Sequence, residues 1–287
     1  MAIAKLLEAQ EQQFSHYRSD SEVSRFNQHD SKDWFPVSAE LAELAQLANE
    51  ISQLSEGAFD ITVAPAVNIW GFGPDAEGAD GSIPEAAILA RTGRSIGYQN
   101  LLIRRSPPAL GKTQTALAID MSAIAKGHAV DQLAYALEQD GHTDYLIEIG
   151  GELRTSGSRP DGKAWRIGLE AADKALPIEF VVAPGNNAVA TSGDYRNFFV
   201  RAETRYSHAI DPATARPIRH GLAAVSVVAP SAAQADGLAT ALLVLGMERG
   251  MQLAIKHDIA ALFTARGADG LSTRATPALS AYLLDSR

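Results

Sequence analysis

Leu222–Ala229 sets the first limit on the fold: of its eight residues, only Ser226 carries a polar side chain. A strand that is apolar on both faces must be covered on both, so this run predicts a central strand of a buried sheet. Ser231-Ala-Ala-Gln234 follows as a capping box and predicts a helix to Leu245. Ala260–Ala265 and Leu271–Thr276 flank Gly267-Ala-Asp-Gly270, the pattern of a hairpin.

Around this nucleus the periodicities alternate without βαβ regularity. Ile3, Leu6, Leu7, Gln10, Phe14 and Tyr17 recur at helical spacing and predict a helix over 2–17, followed by a polar turn. Ser38 opens a second helix with the stripe Leu41, Leu44, Ala48, Ile51 and Leu54, which Gly57 stops. Residues 71–84 read as a loop, and Pro107, Pro108 and Gly111 as a turn. Ala116–Asp120 reads as a short strand and Ala125–Gln139 as a helix. Tyr145–Ile149, Trp165–Glu170, Ile178–Ala183 and Ala188–Thr191 read as further short strands. The fold class expected is α+β, with a mixed, largely antiparallel sheet core and packed helices. The 287 residues suffice for one large domain or two lobes.

Composition removes several function classes. There are no cysteines, hence no thiolate nucleophile, disulfide, sulfur-bound zinc or iron–sulfur cluster. The seven histidines are scattered, so any bound metal would rest on oxygen, which favours Mg²⁺. A formal net charge of −9 disfavours nucleic acid and anionic lipid as partners. No uninterrupted apolar run approaches the roughly 20 residues of a membrane span, and Glu8 and Glu11 exclude a signal peptide over 1–17. Phosphate-loop, dinucleotide-fold, zincin and nucleophile-elbow motifs are all missing.

Four segments carry chemistry. Asp236 and Thr240, spaced i, i+4, project oxygens from one helix face near an N-terminus that favours phosphate. Taken alone, Asp236 is more often an acidic residue complementing the helix dipole. Asp120-Met-Ser-Ala-Ile-Ala-Lys-Gly127 turns from a strand end into a helix, as a ligand loop or as an ordinary cap. In Gly57–Pro74, Trp70 and Phe72 flank Gly71 and suit either a planar ring ligand or a core. In Tyr206-Ser-His-Ala-Ile-Asp-Pro212, His208 sits before a turn and can act as a base near neutral pH, although a lone histidine is more often structural.

These segments occur together and in a fixed order. With Ser15-His-Tyr17, Asp20-Ser-Glu-Val-Ser-Arg-Phe-Asn27, Asp131, Gly150-Gly-Glu152 and Ala190-Thr-Ser-Gly193, the sequence resembles the ApbE family of FAD:protein FMN transferases from about residue 6 to its end. The resemblance implies that Tyr17, Trp70, Gly71, Phe72, Asp120, Lys126 and Ile210 contact FAD. It implies a Mg²⁺ held at the positions of Ala123, Asp236, Ala239 and Thr240. Ala123 has only its backbone carbonyl to offer and Ala239 has no side-chain oxygen, so Asp236 and Thr240 are the side-chain ligands and cation affinity without FAD should be weak.

The implied reaction moves the FMN moiety of FAD onto a Ser or Thr hydroxyl of an acceptor flavoprotein subunit of a membrane redox complex, releasing AMP, with His208 as the base. Two alternatives remain: a Mg²⁺-dependent FAD pyrophosphatase, against which Tyr17 speaks, and a flavin carrier without turnover. The family usually carries a Met-Gly-Thr strand before the first helix, which this sequence does not show. The resemblance implies a periplasmic or inner-membrane-anchored protein; a genuine start at Met1 implies a cytoplasmic one.

Overall fold

A computed structural model of the chain describes residues 3–74, 81–169, 180–195, 197–267 and 270–284. Two compact units emerge: the first comprises residues 126–196 and 220–287, the second residues 2–125 and 197–219.

The first unit is built on Leu222–Ala229, all eight residues of which are buried. It pairs antiparallel with Ala188–Gly193 on one edge and Ala260–Gly267 on the other. Gly270–Ala275, Glu152–Ser156 and Tyr145–Ile149 extend these edges into an antiparallel sheet of six strands. Helix Ala232–Lys256 packs on the two central strands. Ile167, Leu169, Val182, Val189, Val228, Leu262 and Leu279 form an apolar cluster against the sheet. The continuous apolar run is thus explained by cover on both faces. The expected α+β fold class holds. Within the strand segments Trp165–Glu170 and Ile178–Ala183, the strands span Ile167–Leu169 and Phe180–Val182, while 170 and 178–179 lie outside the described residues. Residues 268–269 of the expected hairpin also lie outside them.

The helix opened by Ser231 does not stop at Leu245. Its hydroxyl accepts from Gln234 N–H at 3.2 Å, as a capping residue should. At Gly246, φ is +77° and the helical path breaks, then resumes to Lys256. A side chain at 246 would come within 2.9 Å of the His220 ring, so glycine answers both the conformation and the space. By length and composition alone this helix could cross a membrane. The break and the buried Asp236 within it mark it instead as the core helix of this unit.

The second unit carries helices Ile3–Phe14 and Ala39–Leu54, and a three-stranded antiparallel sheet with Pro108–Lys112 between Phe35–Pro36 and Leu101–Arg105. The first helix ends three residues before Tyr17, because Ser15–Tyr17 bend away; Leu6, Gln10 and Phe14 are its buried line. Its neighbour begins at Ser38, whose hydroxyl accepts from Leu41 N–H at 3.1 Å.

Three sequence expectations fail in this unit. The polar stretch after Tyr17 contains a helix, Glu22–Gln28, capped by Ser21. Pro108 and Gly111 lie in a strand rather than a turn. Ala116–Asp120 forms no strand: Ala116 lies in a turn, and at Ile119 the Asn27 side chain takes both the donor and the acceptor, each at 2.8 Å. The ends of the 71–84 loop are irregular as expected, and residues 75–80 lie outside the described residues.

Candidate active site

The residues singled out from the sequence fall into two groups, one on each unit.

On the first unit, Gly127 lets two helices meet. A Cβ there would lie 2.2 Å from the Ala232 carbonyl oxygen, closer than any real contact. Across this approach Asp131 accepts from the N–H groups of Ala232 and Ala233, each at 2.9 Å, and Arg154 holds Asp131 at 3.0 Å. These helix-start amides are therefore spent inside the protein and are not offered to a phosphate, contrary to the sequence expectation.

The contact runs the other way as well. Asp236, 2% exposed, accepts from Gly127 N–H at 3.2 Å and from the Lys126 ammonium at 3.4 Å. Lys126 also lies 3.4 Å from Glu152, which is likewise 2% exposed. Glu152 opens a strand just after Gly150 and Gly151, whose φ values of +65° and +105° turn the chain there. Burial works against the Lys126 charge, but Asp236 and then Glu152 outweigh it and hold the ammonium above the ordinary lysine pKa.

One helical turn beyond Asp236, Thr240 exchanges a hydrogen bond with Ser192 at 2.9 Å. Ser192 belongs to strand Ala188–Gly193, and so joins Asp236 and Thr240 as an oxygen that sequence periodicity did not single out. Among the described residues, no group of three or more His, Cys, Asp or Glu side chains is arranged to hold a metal. The donor set nevertheless suits a hard cation: it is all oxygen, and its one aligned carboxylate already draws a cationic ammonium. Ala123, the third position the sequence pointed to, belongs to the second unit, as does Asp120.

On the second unit, Asp120 is 6% exposed and its Oδ1 meets His16 Nδ1 at 3.0 Å and Ser122 N–H at 2.8 Å. Burial pushes this carboxyl up, but His16 and the Ser122 amide overcome it and hold it below the usual carboxylate range. Tyr17, next to His16, is 66% exposed and donates its hydroxyl to the Phe72 carbonyl at 3.2 Å. Partial burial, then the charge of Asp120, push its phenol pKa up, so it stays a neutral donor.

Phe72 begins a stack of rings. Phe72 lies on Phe199, Phe199 on Tyr206 and Tyr206 on Trp70, with centroids 5.6, 5.0 and 5.6 Å apart. Trp70, 1% exposed, is anchored by its indole N–H to the Ala215 carbonyl at 2.8 Å. Trp70 and Ile210 both belong to the apolar core of this unit, which leaves their backbone rather than their side chains to meet a ligand. Gly71, at φ +79°, turns the chain between Trp70 in the core and Phe72.

His208 stands edge-on to Phe72 at 6.4 Å. Its Nδ1 lies 2.9 Å from the Asn197 carbonyl, which can only accept. In the neutral ring Nδ1 therefore carries the hydrogen, and the basic lone pair is at Nε2. In the turn that follows, Asp211 spends its carboxylate on Ala213 N–H and the Thr214 hydroxyl. His16, Glu152, Asn197 and Phe199 went unassigned in the sequence, because their roles depend on long-range pairing that local spacing does not encode.

The architecture is that of an α+β protein with an antiparallel six-stranded core, carrying an acid–lysine centre on one unit and a histidine-terminated aromatic stack on the other. The chain belongs to the ApbE family, whose model matches residues 1–263. It is 42% identical over 98% of its length to the FAD:protein FMN transferase of Vibrio cholerae, covering 83% of that protein. It is 38% identical to the enzyme of that name from Haemophilus influenzae, across 92% of this chain and 77% of the relative. The solved structure of the flavin transferase ApbE from Vibrio cholerae superposes with a TM-score of 0.89 at 42% identity, covering 98% of this chain and 89% of that one. The apo form of the Pseudomonas stutzeri flavinyl transferase ApbE gives 0.89 at 41% identity, over 97% and 86%.

Proposed function

We propose that this chain transfers the FMN moiety of FAD to a Ser or Thr hydroxyl of an acceptor protein and releases AMP, in a reaction that requires Mg²⁺. The observation that carries the reading is the near full-length similarity to proteins named FAD:protein FMN transferase. Geometry supplies the roles. Tyr17 and Phe72 form the exposed end of the ring stack and suit one face of a flavin. The acceptor hydroxyl attacks the phosphorus on the FMN side. His208 takes the hydroxyl proton at Nε2, and the bond to the AMP phosphate breaks with its electron pair on the leaving oxygen. Asp236 and Thr240 would hold the Mg²⁺. When bound, the ion neutralises diphosphate charge and polarises the phosphorus. Asp120 and Lys126 would contact FAD, and Ile210 and Gly71 would do so through backbone.

The acceptor we propose is a flavin-carrying subunit of a membrane redox complex, reached from a periplasmic or membrane-anchored position. The test is to incubate the chain with FAD, MgCl₂ and a candidate acceptor, then weigh the acceptor and quantify AMP. An FMN adduct on one Ser or Thr with stoichiometric AMP is expected. AMP and free FMN without an adduct would replace transfer by hydrolysis.

A further inference from the structure

Asp236 has two partners of different kinds. Its fixed partner is a backbone amide, Gly127 N–H, set by the helix that begins at Ala125. Its movable partner is the Lys126 ammonium, at the end of a four-carbon stem that is 43% exposed. A divalent ion bound to the same carboxylate would face that ammonium across roughly one ionic diameter, and like charges so close compete for the site. The ammonium has a second carboxylate at the same 3.4 Å, that of Glu152. Gly150, at φ +65°, lies beside the stem: a Cβ there would sit 3.6 Å from Lys126 Cδ, so the turn shapes the space through which the stem runs. Nothing in the reaction proposed above uses Glu152, although it is a fully buried acid on the central sheet.

We propose that Lys126 is the resident counter-cation of Asp236, and that Glu152 positions it by receiving the ammonium when a divalent cation takes Asp236. The inference rests on the reading of Asp236 as a cation ligand. It assigns Glu152 no contact with the metal: its effect is exerted through Lys126. With two acids and one lysine, the centre carries one negative charge more than its lysine neutralises. A second cation is thus drawn to it, while the first need only shift between neighbouring carboxylates.

The experiment is Mn²⁺ titration of the full chain without FAD, read by the electron paramagnetic resonance of the free ion and repeated by calorimetry with MgCl₂. Lys126→Met should bind Mn²⁺ on the order of tenfold more tightly, since it removes a like charge beside the ligand. Glu152→Gln, an isosteric change, should weaken binding by a similar factor, and Glu152→Asp should restore part of it. In a Lys126→Met background Glu152→Gln should have a clearly smaller effect, because only its distant charge, and no longer its hold on the ammonium, is lost. If Glu152→Gln weakens binding equally in that background, Glu152 is itself a ligand and the proposal is wrong. Unchanged affinity in Lys126→Met also overturns it, and Lys126→Gln serves if the methionine variant does not fold. Asp236→Asn separates the two levels. Loss of binding there with no gain in Lys126→Met sinks only the counter-cation role, whereas wild-type binding in Asp236→Asn removes the cation reading along with it.

Discussion

Replacing Gly127 with alanine tests whether the approach of two helices builds the centre around Asp236. In an ordinary helix interior Gly→Ala stabilises by about 1 kcal/mol, through backbone entropy. Here the added Cβ would meet the Ala232 carbonyl at 2.2 Å and carbon at 2.4 Å, and the Ala233 nitrogen at 2.6 Å. These are backbone atoms and cannot rotate aside, so the helices must separate, at the roughly 1–3 kcal/mol typical of overpacking. Separation also stretches the Gly127 N–H bond to Asp236 and the two amide bonds to Asp131. Hydrogen bonds to charged groups contribute about 1.5–3 kcal/mol each, and a partial loss suffices to reverse the helix gain. The net expectation is a destabilisation of about 2–4 kcal/mol. Urea unfolding followed by far-ultraviolet circular dichroism measures it, with Gly93→Ala as a reference helical glycine whose added Cβ would meet only Ala215 Cβ, at an ordinary 3.9 Å. A Gly127→Ala chain as stable as the wild type, or more stable, would refute the close-approach argument.

At saturating FAD, His208→Ala should lower single-turnover transfer by about 10²–10⁴-fold with little change in FAD affinity; a weakened affinity with a normal rate would make the ring a binding group. The Asp120 carboxyl is held below its ordinary value by His16, so its contribution to stability is complete above about pH 4 and is lost as pH falls through the depressed value. Asp120→Asn should therefore flatten the acid limb of a stability–pH profile, and an unchanged limb would show that the ion pair contributes nothing. The hairpin joining Phe198–Arg201 to Thr204–Ser207 turns at Ala202 and Glu203, both at positive φ. Glu203→Gly should stabilise it by about 0.5–1 kcal/mol, read as slower amide exchange in those strands.

The core strand Leu222–Ala229 was legible because its apolar run has only one interpretation, and the capping box at Ser231 because its bonds are local. Helix Ala125–Gln139 and strand Tyr145–Ile149 were legible to the residue. Where partners are distant in sequence, the reading failed. Ala116–Asp120 has strand-like composition, yet its ladder is the amide of Asn27, about 90 residues away. Helix Glu22–Gln28 was hidden because its polar residues serve other elements: Glu22 binds Ser38 N–H and hydroxyl at 2.7 and 2.6 Å. At the candidate site, spacing brought out Asp236 and Thr240 on one helix face. It gave no role to Glu152, whose place beside Lys126 follows from strand order rather than from any local pattern.

The ring stack has an optical consequence. Of three tryptophans, Trp70 alone is in the buried core, with its indole N–H tied to one carbonyl and its face on Tyr206. Such an indole emits at short wavelength, as expected of a fluorophore screened from solvent dipoles. Oxidised flavin absorbs in that range. A flavin seated on Phe72 would be separated from this donor by the three rings of Phe72, Phe199 and Tyr206 and would drain its emission by resonance energy transfer. Trp34 and Trp165 lie nearer the surface and would contribute a redder background. The chain therefore contains its own light source for following the arrival and departure of a flavin in real time, without a label and at concentrations far below those calorimetry requires.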